Sequence, residues 1–335
     1  MKKFSLVIVA ILAFSLVVGC GGQSTAESSA AGQSGAAASA PASNQFITVA
    51  TGGTSGVYYP VGGAFSSVIQ NRVGLRSSAQ TTGASVENIN LILSDRAEMA
   101  IMMGDAVTQA YQGFGAFEGQ EPKEELRGLM SLYPNYVQLV AMANSGIETF
   151  YDLRGKRVGV GAPNSGVELN ARLMFEAHGM TYDDVRQDFL MYGEAVDQMR
   201  NGMIDAAFVT SGIPNGTVMD LGATNEIRII PIEGDGMAYL RENYPFFTAN
   251  VIPAGTYNNT EDIPTATIMN LMLVRHDLPE DTVYNIVAGV FDNLETIHNS
   301  HNAARNITLE NVMNGMIVPL HPGAERFYRE MGAID

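Results

Sequence analysis

The chain has 335 residues, a formal charge of −16 at pH 7 and a single cysteine, Cys20. Such acidity argues against nucleic acid or an anionic membrane surface as a partner. One cysteine excludes a disulfide within the monomer.

Lys2 and Lys3 precede an apolar run from Phe4 to Val18, broken only by Ser5 and Ser15 and ending in Val17-Val18-Gly19-Cys20. This pattern predicts a signal peptide over residues 1–19 with a lipobox; its core is too short to span a bilayer. Lipidation of Cys20 accounts for an odd cysteine in an exported chain and anchors the protein to the membrane. Residues 20–45 are mostly Gly, Ala, Ser, Gln and Thr, which predicts a flexible tether. Loss of the two lysines takes the mature chain to −18. An anion site in so acidic a body must draw on helix N-termini and one or two arginines.

From residue 46 short apolar strands alternate with amphipathic helices. Phe46 to Ala50 predicts a strand, Thr51 to Gly56 a loop of small and hydroxyl residues, and Tyr58 to about Arg72 a helix. With no bulky side chain in the loop, backbone N–H groups can approach a ligand in front of the helix, where the dipole favours an anion. The loop has no lysine and the chain has no Walker pattern, so a nucleotide P-loop is excluded. A strand near Leu75 to Thr81 leads to the turn Thr81–Ser85, with Ser85 as the expected N-cap and Glu87 placed to favour the dipole. Met99 to Met103 predicts a buried strand and Asp105 a cap for the next helix.

Leu126 to Tyr133 and Tyr136 to Ala143 predict two strands separated by Pro134-Asn135. Val158 to Gly161 predicts a strand running into Ala162-Pro-Asn-Ser-Gly166 and a helix. Strands are expected at Asp188–Tyr192 and Ile204–Thr210, with a short helix at Ala195–Asn201 between them and the turn Ser211-Gly212-Ile213-Pro214 after the second. Thr267 to Val274 predicts a further strand and Glu280 to Ile297 a helix. Alternation with short connections argues for a doubly wound α/β architecture. Four times a strand runs into a small or hydroxyl turn and a helix start, at 51–57, 81–86, 161–167 and 209–215. In open α/β sheets ligands lie beyond the carboxyl ends of strands, and two such halves facing each other form a cleft.

The first of these motifs, Thr82-Gly-Ala-Ser-Val-Glu-Asn88, Leu153 to Gly166, Asp205 to Pro214 and the ending Ile317 to Gly332 resemble, in this order, the motifs of TAXI solute-binding proteins. These are the extracytoplasmic receptors of one branch of TRAP (tripartite ATP-independent periplasmic) transporters. Ser55 stands where that family often has glycine, and Val209 precedes Thr-Ser-Gly where an aromatic-rich stretch is usual. The resemblance implies a type II periplasmic-binding-protein-like clamshell: an α/β fold of two doubly wound lobes joined by two hinge strands, with crossings expected at Tyr136–Ala143 and Phe247–Pro253. Lobe 1 would comprise 46–140 plus 252–335, and lobe 2 141–251. It also implies a small organic anion or amino acid as ligand, such as glutamate or 2-oxoglutarate, and TRAP membrane subunits as partners.

Within that frame, Thr54, Ser55 and Gly56 offer donors to one carboxylate, and Asn164, Ser165 and Gly166 do so from the opposite lobe. Thr82 and Ser85 add hydroxyls, Thr210 and Ser211 close the far side, Tyr58 packs on the ligand body and Arg76 is a candidate cation. Other classes find little support. No G-x-S-x-G elbow is present. His178, His276, His298, His301 and His321 are scattered without a metal-binding pattern, so neither metal nor cofactor is expected and the protein is not expected to be an enzyme. An ABC-transporter binding lipoprotein shares the implied fold and is the nearest alternative; an envelope sensor or adhesin, or an enzyme on the same fold, is more distant.

Overall fold

The computed structural model describes residues 45–335, so the expected signal peptide, Cys20 and nearly all of the tether lie outside the described residues. In chain order the body begins with β1 (Phe46–Ala50), α1 (Tyr58–Val68), β2 (Arg76–Gln80), α2 (Ser85–Leu93), β3 (Met99–Met103) and α3 (Gly104–Gln112). A 16-residue strand, β4 (Arg127–Met142), follows. Next come β5 (Arg157–Gly159), α4 (Gly166–Ala177), β6 (Arg186–Asp188), α5 (Tyr192–Arg200), β7 (Ala206–Ser211), α6 (Gly216–Thr224), β8 (Ile227–Ile230) and α7 (Gly234–Asn243). The chain closes with β9 (Thr248–Ile252), β10 (Ile263–Val274), α8 (Glu280–Phe291), α9 (Leu294–His298) and α10 (Pro322–Glu330).

The strands form one hydrogen-bonded ladder in the order β2-β1-β3-β10-β4-β7-β5-β6, with β8 added to β4 and β9 to β10. β1 pairs in parallel with β2 and β3, and β5 pairs in parallel with β6 and β7. Each half therefore carries parallel strands whose carboxyl ends open into loops. The antiparallel pair β4 and β10 runs through both halves. β4 pairs with β10 over Arg127–Tyr136 and with β7 over Tyr136–Ala141. β3 shows why a parallel sheet needs helices on both faces: every residue of Met-Ala-Ile-Met-Met is buried.

Two expectations change here. Pro134-Asn135 does not divide two strands; β4 passes straight through it. Proline gives no N–H to a ladder, and the register with β10 slips between Met269 and Leu271, opposite Pro134 and Ser131, so the irregularity falls where the donor is missing. Phe247–Pro253, expected as a crossing, instead holds β9, which pairs with Ile263–Thr267 of β10; the strand that runs between the halves is β10 itself.

The helix after β1 ends at Val68 and continues as a π-turn, Ile69–Val73, closed by Gly74 at φ 82°. The last helix returns to the first half: Tyr328 is fully buried and donates its hydroxyl to Leu129 O of β4 at 2.8 Å. His321 caps α10 by accepting the Gly323 N–H. His178, His298 and His301 likewise bind backbone groups, and no cluster of three or more metal-ligating side chains occurs among the described residues. No helix among the described residues is long and apolar enough to cross a membrane.

Candidate functional site

One buried amide organises the carboxyl ends of the first three strands. Asn88, in the first turn of α2, donates to Thr51 O at 2.6 Å and Ile101 O at 2.7 Å, and accepts from the Thr82 hydroxyl at 2.7 Å. Thr51 in turn is tied to Gln80 O through its N–H (2.9 Å) and its hydroxyl (2.6 Å). With these ends fixed, the loop Gly52–Gly56 is held against α1. A Cβ at Gly62 would stand 2.3 Å from Thr51 Cγ2, so only glycine allows the approach.

The second half is built in the same way. Ser165 caps α4 by accepting the Glu168 N–H at 3.2 Å, and it donates to Ala162 O at 2.7 Å. Thr210 O, at the end of β7, accepts from the Tyr192 hydroxyl at 2.6 Å and from Asn135 Nδ2 at 3.2 Å. Ser211 Oγ accepts from Asn215 Nδ2 at 3.1 Å.

Between these turns lies a cavity of about 550 Å³ counted out to its open mouth. Its wall includes Val57, Ala84, Met103, Ser165 and Met191, the N-cap residues of α1, α2, α3, α4 and α5 respectively. Five helix N-termini thus converge on one space, each bringing the partial positive charge of its dipole, although Ser165 already caps one N–H of α4. No Lys, Arg, His, Asp or Glu side chain is among the residues lining it. Val57, Met103, Val167, Leu190 and Met191 make much of the wall apolar. The site therefore offers positive potential from backbone dipoles, neutral hydroxyl and amide groups, and an apolar surface.

Of the residues singled out in the sequence, Ser55, Gly56, Tyr58, Thr82, Ser165, Thr210 and Ser211 line this cavity together. Thr54 instead faces an outer groove beside Pro214–Asp220. Asn164 is exposed, in the left-handed region at φ 58°. Gly166 lies behind the wall, where a Cβ would meet Ser85 Oγ at 2.7 Å and Met103 Cε at 2.8 Å. Ser85 is not the N-cap of α2: Ala84 takes that place at φ 75°, and the Ser85 hydroxyl accepts the Met103 N–H at 3.1 Å. The Thr82 hydroxyl is also engaged in the scaffold, with Asn88 and the Ala84 N–H.

Arg76 is a correction. It opens β2 in register with Phe46, whereas the cavity lies past Gln80, about 13 Å along the strand at ~3.3 Å per residue. Its guanidinium stands 5.6 Å from the Phe46 ring centroid. It is therefore a residue of the opposite sheet edge.

Sequence reasoning missed Asn135, Tyr192, Met103 and Met191. Asn135 stood inside an expected break, and Tyr192 at the end of an expected strand; it is instead the first residue of α5. A polar residue inside an apolar strand was the available signal for Asn135.

The two halves touch around the cavity. The Thr217 hydroxyl donates to Ser55 O at 3.1 Å, and His301 Nε2 lies 3.2 Å from Pro214 O. The Tyr58 hydroxyl turns away from the cavity, donating to Asn270 Oδ1 at 2.5 Å, and burial pushes its pKa well above the usual phenol range. Behind Met103, burial raises the Asp105 carboxyl to about 7, against the lowering effect of the N–H groups of Ala106 and Asp105 and of Asn170.

Solved structures of similar fold include PhnD1 of Prochlorococcus marinus in complex with methylphosphonate, at 11% identity and a TM-score of 0.54, covering 86% of this chain and 99% of that one. A protein of Bordetella bronchiseptica matches at 14% identity and a TM-score of 0.52, covering 87% of this chain and 89% of that one. A structure described as a periplasmic transporter matches at 13% identity and a TM-score of 0.52, with 86% and 92% covered. At such identities the likeness is one of fold, the two-lobe mixed α/β fold of periplasmic binding proteins, and it bears out the fold class expected from the sequence. The profile of the NMT1-like family matches residues 49–332, almost the whole described body, and the chain belongs to the NMT1-like family.

Proposed function

We propose that this chain is an extracytoplasmic solute-binding protein that encloses one small anion between its lobes and delivers it to a membrane permease. The observation that carries the reading is the convergence of five helix N-termini on a cavity lined by no charged side chain. Backbone donors there bind an anion without the desolvation cost of a buried cation. The apolar wall favours a ligand with one acid group and an apolar body over a dicarboxylate.

The hinge of such a clamshell falls at Asn135–Tyr136 of β4 and Thr267–Asn270 of β10, where pairing passes from one half to the other. The lobes are otherwise those named from the sequence. A lipid on Cys20 would hold the body at the outer face of the membrane; Cys20→Ala would then move the protein from the membrane fraction to the soluble one.

An ABC-type permease is the first reading of the partner, since periplasmic receptors of this fold serve such systems. A TAXI-type TRAP permease is the second, favoured by the motif set: four of its five segments stand at the cavity or in its supporting turns. Uptake by membrane vesicles separates them, because the first requires ATP and the second proceeds on an ion gradient alone.

The binding reading is tested by thermal shift with purified residues 46–335 against mono- and dicarboxylates, amino acids, sulfonates and methylphosphonate. A true ligand at a hundred times its dissociation constant stabilises by about 2.7 kcal/mol. No shift with any anion would remove the reading; glutamate and 2-oxoglutarate serve as the dicarboxylate comparison.

A further inference from the structure

Two buried oxygens at the cavity have no hydrogen-bond partner. Asn135 is 2% exposed and Thr210 1%; both line the cavity, and Asn135 Oδ1 and Thr210 Oγ1 are unpaired. Asn135 Nδ2 is already committed to Thr210 O, which fixes the amide orientation and leaves the carbonyl oxygen as the free end. A buried carbonyl without a donor carries a desolvation penalty that a ligand can relieve. Thr210 lies in the β4–β7 pair, and Asn135 lies one residue before that pair begins on β4, where β4 still pairs with β10.

We propose that Asn135, assisted by Thr210, is the specificity-determining residue of the cleft, and that it selects anions carrying a hydrogen-bond donor on the same small molecule. This deepens the anion-binding reading and rests on it. Asn135 Oδ1 accepts from the ligand, so a bare carboxylate, sulfonate or phosphonate leaves it unmet. A hydroxyl suits the place better than an ammonium, because no carboxylate lines the cavity and the positive ends of the helix dipoles repel an ammonium. The solute class is then a small hydroxy acid, with the corresponding amino acid as the weaker donor-bearing form.

The test is isothermal titration of three- to six-carbon acids in matched sets: unsubstituted, 2-oxo, 2- or 3-hydroxy, and 2-amino. The expected result is that a hydroxy acid binds about ten- to hundredfold tighter than its unsubstituted and oxo counterparts. In Asn135→Leu, the ratio falls to about threefold or less, because the hydroxy acid loses more affinity than the unsubstituted acid. Thr210→Val, nearly isosteric, lowers the same ratio without removing the Asn135 amide and guards against a folding defect in the first variant. Equal binding of unsubstituted and hydroxy acids by the unaltered protein, or a ratio that survives both substitutions, overturns the proposal while the anion reading stands. Binding of no acid at all overturns both.

Discussion

Asn170 Nδ2 donates to Asp105 Oδ2 at 2.5 Å, joining α4 of one half of the molecule to α3 of the other in a fully buried contact. The two remaining oxygens, Asp105 Oδ1 and Asn170 Oδ1, have no partner. An ionised Asp105 would be a buried charge beside an unpaired carbonyl, met by no cation but only by Asn170 and the N–H groups of Asp105 and Ala106. Protonation removes the charge and turns one orphan acceptor into a donor, which agrees with a carboxyl raised to about 7 by burial.

The linkage has a definite sign. An ordinary aspartate titrates near 3.9, so between about pH 4 and pH 7 the folded state holds a proton that the unfolded state has lost. Stability from this group is complete below about pH 4 and is lost as pH rises toward 7, by up to about 4 kcal/mol. Denaturant unfolding between pH 4.5 and 8 should show this decline, and Asp105→Asn should flatten it and be the more stable protein at pH 8. Parallel pH profiles for the two proteins would show that Asp105 is ionised in the fold.

Closure of the halves also leaves no room behind Met103. Gly166 of α4 faces Ser85 and Met103 so closely that a methyl group would lie 2.7 Å and 2.8 Å from their side-chain atoms. Gly166→Ala is therefore a wedge between halves, not a defect within either. Overpacking of this kind costs about 1–3 kcal/mol, so affinity should weaken about five- to a hundredfold while the melting temperature of ligand-free protein changes little. Calorimetry and a ligand-free melt decide it; an unchanged affinity would mean the halves do not need this approach to bind.

How far the sequence could carry this argument is clear from particular residues. The strand–turn–helix recurrences were legible because small and hydroxyl residues at strand ends have a local cause, the N–H groups of a helix start. Ser55, Gly56, Ser165 and Thr210 were found that way, and all four line the cavity. Asn135 was not, because its place depends on a contact with Thr210, 75 residues on in sequence; Tyr192 was not, because it opens α5 and does not end a strand. Ser85 was named for the right turn and the wrong task. Its hydroxyl bonds the end of β3, a neighbour that no local pattern announces. Arg76 was chosen for its charge, and pairing with Phe46 puts it at the far edge of the sheet.

That placement is itself testable. With Arg76 at the amino end of β2 and the cavity beyond its carboxyl end, Arg76→Ala should leave ligand affinity within about twofold, since charges more than a Debye length of ~10 Å apart are largely screened at 0.1 M salt. A tenfold or greater loss at that ionic strength, with the fold intact by circular dichroism, would return Arg76 to the site.

Ser165 gives the cleanest separation of folding from binding. Its hydroxyl caps α4 by accepting the Glu168 N–H, and the residue lines the cavity at 3% exposure. Aspartate is as good an N-cap as serine, so Ser165→Asp keeps the helix start, though its carboxylate cannot replace the hydroxyl's donation to Ala162 O and the ligand-free protein should melt somewhat lower. It also places a carboxylate in front of the dipoles that attract the ligand. Two like charges about 4 Å apart in surroundings of effective dielectric ~20 repel by about 4 kcal/mol, so anion binding should weaken by at least about a hundredfold. Ser165→Ala is the companion: it loses about 1 kcal/mol of cap stability yet adds no charge, and so should bind far better than the aspartate variant. The reverse order of affinities would mean that the captured solute is not an anion.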